Sequence, residues 1–255
     1  RRDGEMNVLQ SMIIAFSMYS KLPMPHIAWQ EKNMKYAMCF FPMVGIVIGI
    51  CEYALGSWIL GRDYGVLFFS ACMTLLPILL TGGIHLDGFM DTSDALASYG
   101  EREKKLAILK DSHTGAFAVL GLGVYLIWSL AMWSEVRPEM LPVLAAGAVL
   151  SRALSGFSVV TFPAAREDGL GKTFQDGSQK RKTRIAMCIY AAAAAVWMVI
   201  QRPVSGVAAL LCAAGTFGYY AWMSRKQFGG MTGDLAGYFL QICELAILSG
   251  VVLVG

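Results

Sequence analysis

Residues 64–94 read YGVLFFSACMTLLPILLTGGIHLDGFMDTSD, an apolar run from Tyr64 to Thr81 that breaks at Gly82-Gly83 into a segment carrying one histidine and three aspartates. The run has about the ~20 residues that a helix needs to cross a bilayer. Six further runs of that kind stand at about 36–60, 115–134, 139–160, 184–201, 203–224 and 234–254. The chain is 56% hydrophobic and 15% charged, with a mean hydropathy of +0.54. That is too apolar for an ordinary soluble domain. The expected fold is therefore all-α: a polytopic integral membrane helical bundle of about seven transmembrane helices, forming one membrane-embedded domain over residues 1–255.

Lysine and arginine accumulate in cytoplasmic loops, so their distribution tests the spans. With seven crossings, 17 of the 21 basic residues fall on one side, Arg1, Lys32, Lys105 and Lys180 among them. Only Arg62, Arg137 and Arg202 fall on the other, and Arg152 lies inside a span. This asymmetry predicts a cytoplasmic N-terminus and three cytoplasmic loops, 82–114, 161–183 and 225–233, that hold nearly all the polar chemistry. Residues 5–20 are expected to form an interfacial amphipathic helix, ended by Lys21-Leu-Pro-Met-Pro25 because neither proline continues a helix. The stretch Val8 to Tyr19 is short and lacks a small-residue cleavage site, so no cleavable leader is expected.

A net charge of +3 with no basic stripe interleaved with aromatics excludes nucleic acid as a partner. The six cysteines lie in apolar runs without C-x-x-C spacing, so neither a zinc site nor a disulfide framework is indicated.

Wound as a helix, Asp87, Asp91 and Asp94 fall at i, i+4 and i+7 and share one face. Hard oxygen ligands grouped in this way suit Mg²⁺, which binds through a few carboxylates plus substrate phosphates. One acid near a helix start is favoured by the dipole alone, but three in register ask for more. His85, two residues before Asp87, either moves a proton or binds substrate, or is held by its loop. Lys110, Asp111 and Ser112 precede a helix start, where free N–H groups attract anions, and the same residues also read as a juxtamembrane lysine with an Asp/Ser cap.

Gly82-Gly83-x₃-Asp87 and Gly229-Gly230-x₃-Asp234 share one arrangement, with Thr232 inside the second. Glycine-rich backbone lets main-chain N–H groups approach a phosphate, and two such loops suit the two ends of a diphosphate. Glycine pairs also serve helix packing in membranes. Arg152 and Glu244 lie inside spans, where a charge needs a partner or a cavity, and both are candidate substrate-binding residues.

These blocks, with Phe41-Pro-Met-Val-Gly45, Ser151-Arg152 and Glu167-Asp-Gly-Leu-Gly171, resemble the cobalamin synthase (adenosylcobinamide-GDP ribazoletransferase) family over almost the whole chain. The chain departs from the family pattern at Ala95, His113 and Gln241, where glycine, arginine and glutamate are typical. The resemblance implies transfer of the corrinoid-bearing phosphoryl group from adenosylcobinamide-GDP to α-ribazole or its 5′-phosphate, with release of GMP. It also implies Mg²⁺ as cofactor and a cytoplasmic-membrane location with the active site facing the cytoplasm. Other late corrinoid-pathway enzymes are possible partners beside the bilayer. On this reading Asp87, Asp91 and Asp94 hold the metal, and one of them or Asp234 takes the proton of the attacking hydroxyl. Lys110 and Arg152 clamp phosphate oxygens. Two other classes compete with this reading. A CDP-alcohol phosphatidyltransferase would show D-x₂-D-G-x₂-A-R-x₈-G-x₃-D, which is lacking, and a cation-coupled transporter could use Glu52, Arg152 and Glu244 along a path.

Overall fold

A computed structural model describes residues 2–27 and 34–255; for 2–7, 170, 171 and 174 it describes the backbone only. Arg1 and Lys32, counted among the cytoplasmic cations, lie outside the described residues. The helices are α1 (Arg2–Tyr19), α2 (Phe41–Leu60), α3 (Val66–Thr81), α4 (Ile84–Ala97), α5 (Arg102–Ile108) and α6 (Ala116–Ser134), followed by α7 (Leu141–Thr161), α8 (Leu170–Gly177), α9 (Lys180–Gln201), α10 (Pro203–Met223) and α11 (Gly233–Val254). Among the described residues there is no strand, only an isolated parallel bridge between Ala164 and Met231.

Six helical segments are long and apolar enough to cross a membrane, and the chain is a multi-pass membrane protein. Prolines at the first turn start α2, α7 and α10, where the missing N–H has no intrahelical partner to lose. The expected second span differs from the other six. Its helix α3 has 16 residues, about 24 Å at 1.5 Å per residue, and α4 leaves it at 97°. Alone that is short of the ~30 Å hydrocarbon thickness; counted with α4 as one bent span, it makes the seventh crossing.

The core is organised around α7, which is buried along most of its length between α2, α9 and α11. Small residues permit this approach. A Cβ on Gly45 or Gly49 of α2 would sit 2.4 or 2.3 Å from the carbonyl oxygens of Ala148 and Ala145 on α7. The outward faces are apolar and open, with Leu67, Leu79, Ile127, Ile200 and Leu211 all more than two-thirds exposed, as lipid contact requires. At one end of the bundle Arg62 lies over the Trp58 ring, beside Tyr64 and Phe68. Such a cluster suits a membrane–water boundary.

At the opposite end the three polar loops meet. Lys105 donates to Gln227, Arg102 to the Ala165 carbonyl at 3.5 Å, and Lys110 to Asp168 at 2.6 Å. Loops two and three are joined by main-chain bonds, Met231 N–H to Pro163 O at 2.8 Å and Ala165 N–H to Met231 O at 2.9 Å. The helix α1 packs Ile14, Ala15 and Phe16 inward at this end and stops at Ser20, whose hydroxyl returns to the Phe16 carbonyl at 2.6 Å.

Candidate active site

The glycine pairs are where the site begins. Gly82 and Gly83 have φ of +65° and +77°, left-handed values that side chains resist. They stop α3, with Gly83 N–H returning to Ile78 O at 3.0 Å, and α4 restarts at once with Asp87 in its first turn. The second pair repeats the device. Ser224–Phe228 form a π-helical turn at the end of α10, Gly229 stops it at φ +76°, and α11 starts with Asp234 in its first turn. The Thr232 hydroxyl caps that start by accepting from Leu235 N–H at 3.2 Å. Both pairs are helix breaks; the chain at Gly82 is covered by the Lys21 side chain and that at Gly229 by the Arg102 guanidinium.

The restarted helices then cross. Gly88 of α4 lies against the main chain of Asp234, and Gly237 of α11 against that of His85. Phe89 and Tyr238 stack at 5.4 Å beside the crossing, with Tyr125 of α6 against Phe89. This geometry gathers the carboxylates. Asp91 is pushed up to about 6, first by partial burial and then by like-charge repulsion from Asp87, Asp234 and Asp94.

Asp94 is differently employed. Its Oδ2 accepts from Gly115 N–H at 2.6 Å and its Oδ1 from Ala118 N–H at 2.8 Å, so both oxygens cap the start of α6. Among the described residues no three His, Cys, Asp or Glu side chains are grouped to hold a metal ion. The expected three-carboxylate face is on one helix, but its third member is committed to the fold.

Arg152 and Glu244 are likewise not at the polar loops. The Arg152 side chain is 1% exposed and donates through Nη1 to Glu244 Oε1 at 2.6 Å and to Ala148 O at 2.9 Å. Ser151 donates to the same Glu244 oxygen at 2.8 Å. The structure pairs these two expected substrate-binding residues with each other inside the bundle, where an unpaired charge is costly.

Lys110 reaches Asp168 in loop two, with both side chains more than half exposed, and this contact holds the Asp168 carboxyl below its ordinary value. Asp111 accepts from His113 N–H at 3.0 Å and meets its ring nitrogen at 2.6 Å, a local turn in solvent beside Ser112. His85 is buried, 5.9 Å from the Tyr19 ring and 5.7 Å from Phe41, with Nε2 unpartnered. Of the departures from the family pattern, Ala95 is fully buried and Gln241 nearly so, whereas the His113 side chain is 90% exposed.

Sequence reasoning missed Arg166. Its Nη2 donates to Asp234 Oδ2 at 3.0 Å, and its Nε is buried without a partner. With Lys172, Gly169, Thr232 and Asp234 it lines a cleft of ≈ 60 Å³. The signal available was its place immediately before Glu167-Asp-Gly-Leu-Gly171. A guanidinium fork beside carboxylates in such a cleft is suited to phosphate oxygens.

Comparison with known proteins agrees with this assembly of motifs. The family model for cobalamin-5-phosphate synthase matches residues 11–252. A protein of Lachnoclostridium phytofermentans named adenosylcobinamide-GDP ribazoletransferase is 42% identical, covering 98% of each chain. Proteins of the same name from Syntrophobacter fumaroxidans and Clostridium perfringens strain SM101 are 35% and 32% identical, covering 86% and 95% of this chain and 87% and 96% of their own. No solved structure matches. With nearly its full length matched by the family model, the chain belongs to the cobalamin-5-phosphate synthase family.

Proposed function

We propose that the protein is an adenosylcobinamide-GDP ribazoletransferase working at the end of the bundle where α4 crosses α11. The observation that carries this reading is the crossing itself, which sets Asp87, Asp91 and Asp234 together beside Arg166 in a chain of this family. In the reaction a hydroxyl oxygen of α-ribazole, or of its 5′-phosphate, bonds to the corrinoid-side phosphorus. The P–O bond to the GMP oxygen breaks, GMP leaves with the electron pair, and the hydroxyl proton passes to a carboxylate.

Mg²⁺ fits the residues in a restricted way. Mutual repulsion at Asp91 favours a cation, and two carboxylates with substrate phosphates are a usual Mg²⁺ environment, whereas a three-aspartate cage is not formed. Asp87 and Asp91 would hold it, and it would neutralise charge on the diphosphate. Arg166 supplies a fork for the phosphoryl oxygens, with Lys172 and Lys110 as further cations at the same cleft. Asp234, next to Arg166, is the candidate acceptor of the hydroxyl proton. Asp94 positions α4 against α6.

The loop asymmetry in lysine and arginine supports a cytoplasmic N-terminus and a site that faces the cytoplasm from the cytoplasmic membrane. GMP and a free corrinoid substrate then enter and leave on the aqueous side, and neighbouring enzymes of the corrinoid route would share that surface. The test is GMP release matched by cobalamin formation, using purified protein with adenosylcobinamide-GDP, α-ribazole or its phosphate, and Mg²⁺. Asp87→Asn and Asp91→Asn should each lose at least ~10²-fold in kcat while remaining folded, because an amide keeps shape but loses metal charge. Normal turnover in both at limiting Mg²⁺ removes the metal assignment, and absence of GMP release by the wild type removes the function.

A further inference from the structure

Within the bundle, Glu52, Thr74, Tyr125, Ser129 and Glu244 line a cavity of ≈ 50 Å³ between α2, α3, α6, α7 and α11. None of these residues has a part in the reaction above. The size decides the class of occupant, because ~10–15 Å³ of such space holds one water and an organic ligand needs hundreds. Only a few waters or a small ion fit.

The polar groups on this cavity are left incomplete. Arg152 and Glu244 cancel as a pair, with one Glu244 oxygen already engaged twice. Glu52 is 8% exposed and has no hydrogen-bond or salt-bridge partner among the described residues. Thr74 is an independent sign. Its neighbours on α3, Ser70 and Thr81, donate back to carbonyls four residues earlier at 2.8 Å each. The Thr74 hydroxyl, 5% exposed, has no partner and stands on the cavity. Pro77, also on the lining, removes the N–H that the Met73 carbonyl would accept one turn away.

Arg152 acts on both Glu52 and Glu244, but one guanidinium cannot neutralise two carboxylates. The excess intramembrane charge beside an unbonded hydroxyl is costly unless a further positive charge joins them. The ionised trio Glu52, Arg152 and Glu244 carries one net negative charge, which matches a monovalent cation and leaves a divalent one in excess. We propose that this cavity binds one small monovalent metal cation through the carboxylates of Glu52 and Glu244 and the Thr74 hydroxyl. The ion fastens α3, the short helix under the glycine break, to α2 and α11.

The experiment uses the full-length protein in detergent, with Na⁺ as the probe. Thermal unfolding is followed in NaCl, KCl and choline chloride at one ionic strength, and ²²Na⁺ binding is counted by scintillation proximity. The expected result is a saturable rise in Tm of about 3 °C or more in Na⁺ over choline, with about one ion bound per chain. Glu52→Gln should lose both, and Thr74→Val should move the half-point to higher Na⁺. Equal Tm in Na⁺ and choline, or no saturable ²²Na⁺ binding by the wild type, overturns the proposal in favour of a cavity holding water and a protonated Glu52. So does a Glu52→Gln protein that responds as the wild type does. If Glu52→Gln does not fold, an unchanged half-point in Thr74→Val is equally decisive. Neither readout depends on turnover, so failure here leaves the transferase reading untouched.

Discussion

Gly88→Ala tests whether the crossing of α4 and α11 sets the reactive geometry. An alanine methyl there would lie 2.7 Å from the Asp234 carbonyl oxygen and 2.9 Å from its Cα, where ordinary contact begins at 3.4 Å. Both neighbours are main chain, which cannot rotate away, so the helices must part by about 0.7 Å. Asp87 rides on one of them and Asp234 on the other. Misplacement of reacting groups by ~1 Å costs roughly 10²-fold, so kcat should fall by about 30- to 100-fold. Overpacking of this kind costs ~1–3 kcal/mol, which leaves a folded protein at assay temperature. Gly237→Ala is the internal control. Its nearest contact, the His85 carbonyl oxygen, is at 3.1 Å, so a shift of about 0.3 Å suffices and the loss should stay under ~10-fold. Initial rates of GMP release at saturating substrates, alongside Tm for each variant, give the comparison. A Gly88→Ala enzyme with wild-type kcat, or a Gly237→Ala enzyme that loses more than Gly88→Ala, would refute the argument.

Without metal, stability should fall as pH rises from Asp91's ordinary 3.8 through about 6, because the folded state keeps a proton there that the unfolded chain has released. Saturating Mg²⁺ should flatten that segment of a Tm-against-pH curve, and an identical curve in chelator would count against a cation between the aspartates. Arg152→Met should cost ~3–5 kcal/mol by stranding the Glu244 carboxylate, and the double change with Glu244→Met should recover most of it. Denaturant unfolding of the two singles and the double checks this; strict additivity would mean the pair is not coupled. Reporters fused after Lys105 and after Lys180 should read one side of the membrane and one at Arg62 the other, with a shared reading at all three refuting the seven-crossing layout.

Hydropathy located the spans to within a few residues, because a bilayer demands long apolar runs whatever the tertiary fold. The expected 203–224 is found as Pro203–Met223 and 234–254 as Gly233–Val254. The expected 184–201 begins earlier, at Lys180, since a helix end in water can carry the basic turn Lys180-Arg-Lys182. The expected 64–81 is found as Val66–Thr81, but the bend that follows it was not legible. Composition reports that a segment is apolar but not that Gly82 and Gly83 take left-handed angles and turn the chain through 97°. Arg152 shows the same limit for charge. Its burial was legible, but the choice between cavity and partner depended on Glu244, 92 residues away.

The spacing of the two motifs has one explanation in the crossing. In each, Gly-Gly ends a helix and the aspartate four residues after the second glycine falls in the first turn of the next, so both acids stand where new helices begin. The glycine that follows differs, one residue after Asp87 but three after Asp234. Were the motifs two separate phosphate cradles, that difference would have no meaning. In the structure Gly88 meets the main chain of Asp234 while Gly237, nearly one helical turn beyond Asp234, meets His85, three residues before Gly88. The offset on one helix is matched by an equal and opposite offset on the other. Each glycine is placed by the partner helix rather than by its own loop, and the acids are held close because the two backbones can touch.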